Sequence, residues 1–85
     1  MNNYRILASA LHKIVMEEED PLRIASISDA ALSLFPNGDF AINKRKLSNL
    51  IFESGMKGDN KKYEEYCYDF KILLLNFLMY QKTNG

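Results

Sequence analysis

The chain has a single cysteine, a single histidine, two prolines and no tryptophan. The one cysteine, Cys67, excludes an internal disulfide and a multi-cysteine metal site, and it fits a reducing compartment. The one histidine, His12, excludes a histidine pair as metal ligands and any relay built from two histidines. The four glycines are scattered among helix breaks and ends, so none belongs to a phosphate-cradling loop. Net charge is also missing. Eleven basic residues balance 11 acidic ones, which removes the bulk attraction that accompanies nonspecific binding to nucleic acid or anionic membrane. No cofactor, metal or small-molecule substrate is indicated, and the chain reads as non-enzymatic.

A long uninterrupted apolar run is absent too. The nearest approach is "YCYDFKILLLNFLMY", Tyr66 to Tyr80, which Asp69, Lys71 and Asn76 interrupt and which is shorter than the roughly 20 residues a membrane-spanning helix needs. The N-terminal stretch carries His12 and Lys13 inside its apolar pattern and acidic residues after it, which is not the order of an export signal. A cytoplasmic location and no membrane partner are therefore expected.

What is present is helical periodicity. The 85 residues form one expected domain, 1–85, with a modest core. Ile6, Leu7, Ala10, Leu11, Ile14 and Val15 make one face of a first helix. Asp20-Pro21 supplies an N-cap and a first-turn proline for a second, carried by Ile24, Ile27, Ala31 and Leu34 and stopped by Pro36-Asn37-Gly38. Asp39 or Asn43 is the candidate cap of a third helix, with Leu47, Leu50 and Ile51 buried, Phe40 and Ile42 anchoring the loop before it, and Gly55 closing it. Asp59 caps a fourth that runs to about Tyr80 or Gln81. The fold class is all-α: a compact irregular bundle of about four helices, the C-terminal one longest and apolar on two faces.

On that last helix Tyr63, Tyr66, Cys67, Phe70, Leu73, Leu74, Phe77 and Leu78 form the core stripe, and Cys67 reads as a small buried hydrophobe. Tyr68, Ile72, Leu75 and Met79 recur at spacings of four, three and four on nearly the opposite side. Two readings of this second face stand. Either the helix is central and wrapped by the other three, or the face meets another protein or a second copy of the chain in the manner of i, i+3, i+4, i+7 anchors.

Two charge clusters run against the helix dipole: Glu17–Asp20 at the end of the first helix, and Lys44, Arg45 and Lys46 at the start of the third if Asn43 is its cap. The basic trio, extended by Lys57, Lys61 and Lys62, is the one candidate patch for nucleic acid or an acidic partner. A helix-turn-helix made of the second and third helices would use it, although a connection from Pro36 to Asn43 exceeds the usual turn of about 3–4 residues. In overall size, in "RKL" opening a helix at Arg45 to Leu47 and in "LMY" at Leu78 to Tyr80, the chain resembles the small helical anti-sigma proteins of phages. No functional residue is carried over from that family. The expected function is a small helical interaction protein that binds and modulates a protein partner, with a homodimer as one form of that contact and a phage or mobile-element regulator or inhibitor as its type. The alternative is a helix-turn-helix transcription regulator.

Overall fold

A computed structural model describes residues 3–84. It is all-α, with helices α1 (Asn3–Glu17), α2 (Pro21–Leu34), α3 (Gly38–Lys57) and α4 (Asn60–Asn84). No strand occurs among the described residues.

Local chemistry sets most of the boundaries. Asp20 caps α2 as expected, its carboxylate accepting from the Leu22 N–H at 3.0 Å with Pro21 in the first turn. Asp59 likewise accepts from the Lys62 N–H at 3.1 Å where α4 begins. The third helix differs from expectation at both ends. Asn37 is its cap, accepting from the Phe40 N–H at 2.9 Å, so α3 begins at Gly38 and the α2–α3 connection is only Phe35 to Asn37. At its C-terminus α3 continues through Gly55 and closes at Gly58, whose φ of 71° puts it in the left-handed region that glycine enters without steric cost. The fourth helix extends past Gln81 to Asn84, where the Arg5 guanidinium donates to the Thr83 carbonyl at 3.2 Å.

The helices form two antiparallel hairpins of unequal length. In the short one, α1 and α2 turn at Glu18–Asp20; in the long one, α3 and α4 turn at Gly58–Asp59. The α4 helix packs against all three of the others, with α1 and α3 providing the larger contacts. Four aromatic rings plug the end where the hairpins lie flush. Phe40 stacks on Phe77 with centroids 4.1 Å apart, and Phe35 meets both Phe77 (6.4 Å) and Tyr4 (5.7 Å) edge to face. The core continues through Ala8, Val15, Ile24, Ala31, Phe70, Leu74 and Leu78. Ser28 and Ser54 are buried within it, and each hydroxyl donates to a backbone carbonyl three residues earlier, so neither is left unpaired.

Two apolar patterns are buried differently from their periodicity. On α1 the covered side is Ala8, Leu11 and Val15, while Ile6, Leu7, Ala10 and Ile14 stay exposed. The apolar arc of α1 is wider than the seam with α4 and α2, and the small Ala8 side chain fits where α1 lies against its neighbours. On α3, Ile42 and Leu50 face outward although Phe40, Leu47 and Ile51 join the core.

The acidic cluster at the end of α1 is offset from outside that helix. The Lys71 ammonium, reaching across from α4, donates to the Glu18 carbonyl at 2.7 Å and to the Met16 carbonyl at 3.3 Å, which satisfies acceptors that a helix C-terminus leaves open. Arg23 adds ion pairs to Glu18 (3.7 Å) and Asp20 (3.9 Å).

Candidate functional site

Lys71 also locates the end of α1 along α4, and the groove follows from that position. Since α1 stops opposite Lys71 while α4 begins at Asn60, α4 extends 11 residues, about 16 Å at the α-helical rise, past the end of α1 as an overhang. The molecule is accordingly drawn out, 48 Å in its longest dimension. In the step between the α1–α2 corner and the overhang lies a groove of about 1100 Å³.

The groove is apolar and open. Met16, Pro21, Leu22 and Ile24 come from the corner; Ser48, Ile51, Phe52, Gly55 and Met56 from α3; and Tyr63, Cys67, Tyr68, Phe70, Ile72 and Leu75 from α4. Several of these stand out from the surface: Leu22 is 79% exposed, Met56 74%, Phe52 68% and Tyr68 64%. Large apolar side chains grouped at that exposure around a concavity are the usual mark of a contact surface.

Of the four residues singled out on the second face of α4, three line this groove. Tyr68 is exposed, and Ile72 and Leu75 are half-buried, with Leu75 also packed against the core. Met79 is exposed, lies farther along α4 and does not line it. Sequence reasoning missed Leu22, Phe52 and Met56. The last two are spaced i, i+4 on the side of α3 away from Leu47 and Ile51, a signal that was present but had no visible counterpart without the overhang.

Cys67 is half-buried on the groove wall rather than in the core. Burial pushes its thiol above the ordinary value, and a hydrogen bond from Tyr63 only partly opposes that. The negative charge Cys67 carries in its thiolate form in turn raises the Tyr63 phenol. A thiol held protonated is a weak nucleophile. Among the described residues, no group of three or more His, Cys, Asp or Glu side chains stands together as a metal site.

The basic residues do not form one patch. Lys44 is half-buried and paired with Asp29 at 2.8 Å, leaving Arg45 and Lys46 exposed in the first half of α3. Lys57, Lys61 and Lys62 lie around the α3–α4 turn, and the 13 residues of helix from Lys44 to Lys57 put the two groups about 20 Å apart. Although the α2–α3 turn is short enough for a helix-turn-helix, α2 and α3 belong to different hairpins and do not pack extensively on each other. No helix among the described residues is long and apolar enough to cross a membrane.

No family model, curated protein or solved structure matches the chain.

Proposed function

We propose that this protein is a non-enzymatic interaction module that binds and modulates a protein partner by taking an apolar segment of that partner, best supplied by one face of an amphipathic helix, into the groove at the overhang. The observation that carries this reading is the grouping of Leu22, Phe52, Met56 and Tyr68, all strongly exposed, around a concavity of about 1100 Å³. A small ligand would fill the concavity but leave those four side chains in water. A helix laid along the groove covers both. The walls also carry Glu19, Glu64 and Lys71, but apolar side chains make up most of the lining, and the raised Cys67 thiol is a weak nucleophile, which together favour binding over catalysis.

The test is affinity capture from the producing host with matched variants. Tyr68→Glu and Leu22→Glu change exposed groove residues and are expected to fold normally and lose the partner. Ile6→Glu, exposed on α1, is expected to keep it. A partner retained equally by all three variants would remove the groove from the mechanism.

A second reading, a DNA-binding regulator using Arg45 and Lys46, is favoured by the three-residue turn between α2 and α3. Against it stand the zero net charge, the Lys44–Asp29 pair and the separation of the basic groups. Submicromolar binding to duplex DNA with a steep salt dependence, lost on Arg45→Ala with Lys46→Ala, would favour this reading over the first.

A further inference from the structure

The few charged side chains in the groove bear on what can occupy it. Of the residues that line it, three are charged: Glu19 at the α1–α2 corner, and Glu64 and Lys71 on α4. Lys71 is already engaged. Its ammonium donates to the Glu18 and Met16 carbonyls at 2.7 and 3.3 Å, so its charge is set against the C-terminus of α1. The two carboxylates have no such counterpart. Glu19 and Glu64 are exposed, and among the described residues neither makes an ion pair.

Their placement is regular. Glu64 precedes Lys71 by seven residues, two turns on the same side of α4, and Lys71 marks the level of the corner that carries Glu19. Along α4 the carboxylates are therefore separated by about 10 Å. An apolar helix laid over the overhang brings whatever flanks its apolar face to those two points.

The surroundings do not reverse the sign. At the corner Glu17, Glu18, Glu19 and Asp20 face one guanidinium, Arg23, which pairs with Glu18 at 3.7 Å and with Asp20 at 3.9 Å. At the α3–α4 turn Lys57, Lys61 and Lys62 are matched by Asp59, Glu64 and Glu65, with Lys62 paired to Glu65 at 3.9 Å. The turn is balanced and the excess at the corner is acidic. Arg45 and Lys46 do not line the groove. A partner helix with acidic flanks would set like charges against Glu19 and Glu64, whereas lysine or arginine there completes pairs that the chain leaves open.

We propose that the occupant of the groove is a basic amphipathic helix of another protein, with an apolar face of about three turns seated against Phe52, Met56 and Tyr68 and with lysine or arginine about two turns apart meeting Glu19 and Glu64. This rests on the reading of the groove as a protein-binding site, and it names the chemical class of the partner.

Selection from a display library tests it. Each displayed segment has apolar residues fixed at i, i+3, i+4 and i+7 and its other positions randomised. The targets are the full chain and its Phe52→Ser, Tyr68→Ser variant, which changes two exposed groove residues without adding charge. Segments held by wild type and released by that variant are groove binders, and they are expected to carry lysine or arginine beside the apolar face. For one such segment, exchanging two of those cations for glutamate is expected to weaken binding about tenfold at low salt, and by less at about 1 M salt. Glu19→Lys with Glu64→Lys also changes only exposed residues, so its circular dichroism is expected to match wild type while the preference reverses toward the glutamate version. Should that variant lose helicity, Glu19→Gln and Glu64→Gln decide singly, each expected to weaken the basic segment about threefold. Groove binders without a basic excess, or a basic preference that the changes at Glu19 and Glu64 leave untouched, would overturn the proposal and leave the groove as a site for a protein of other charge. A library that yields no groove binder would overturn the protein-binding reading as well. A wild type that sediments as a dimer and is dissociated by Phe52→Ser with Tyr68→Ser would assign the groove to a second copy of the chain instead.

Discussion

Replacing Lys71 with methionine removes the ammonium seated on the C-terminus of α1 and tests whether α4 holds the corner of the groove in place. The methionine keeps most of the aliphatic stem, so the loss is confined to charge and hydrogen bonding. Two bonds disappear: the part-buried one to the Glu18 carbonyl at 2.7 Å and the exposed one to the Met16 carbonyl at 3.3 Å. A hydrogen bond from a charged group contributes about 1.5–3 kcal/mol, and a cation at an exposed helix C-terminus about 0.3–1 kcal/mol. The longer contact is solvent-screened and adds little, so we expect a total loss of about 1.5–2.5 kcal/mol. For a domain of this size that lowers the melting temperature by roughly 6–20 °C. Urea denaturation followed by circular dichroism reads the stability, and amide hydrogen exchange at the end of α1 should show faster opening there than in α3. A stability change under about 0.5 kcal/mol, with unaltered exchange in α1, would refute the account of how this terminus is held.

The core makes a sharper demand: Leu74 is fully buried between the hairpins, so Leu74→Ala should cost about 3–5 kcal/mol in urea melts, a large share of the stability of a domain this small. Gly58→Ala meets no neighbouring atom but must adopt a φ of 71°, and a loss of about 1–2 kcal/mol is expected; an unchanged melting temperature would show that the α3–α4 turn relaxes to another cap. Because burial raises the Cys67 thiol, the folded chain binds this proton more tightly than the unfolded chain. Its contribution to stability therefore falls as pH rises through the ordinary thiol range, and the pH midpoint of Cys67 alkylation should lie above that of an unstructured peptide containing the same cysteine.

Features decided within one or two helical turns were legible in the chain alone. Asp20-Pro21 and Asp59 mark helix starts because a short side-chain oxygen can reach an amide two or three residues ahead, and a proline lacks only a donor that the first turn leaves unpaired anyway. The core stripe of α4 was legible for a similar reason: Phe70, Leu74, Phe77 and Leu78 lie on one line of the helix whatever packs against it. Even there competition between nearby signals misled. Asn37, rather than Asp39 or Asn43, caps α3, because its carbonyl oxygen already reaches the Phe40 amide and closes the turn earlier.

What the tertiary structure decided is how far neighbouring helices overlap. Periodicity reports the apolar arc of a helix but not which part of its length has a neighbour. Ile6, Leu7 and Ile14 belong to the apolar arc of α1 and remain exposed, because α4 and α2 meet that helix along Ala8, Leu11 and Val15. The two-sided pattern of α4 divides in the same way. Leu75 lines the groove but is also drawn partly into the core, whereas Tyr68, on the stretch of α4 that α1 does not reach, stands exposed on the groove. Both residues sit on one face of one helix, and only the position of Lys71 against the end of α1, fixed by contacts more than 50 residues apart in the chain, separates them.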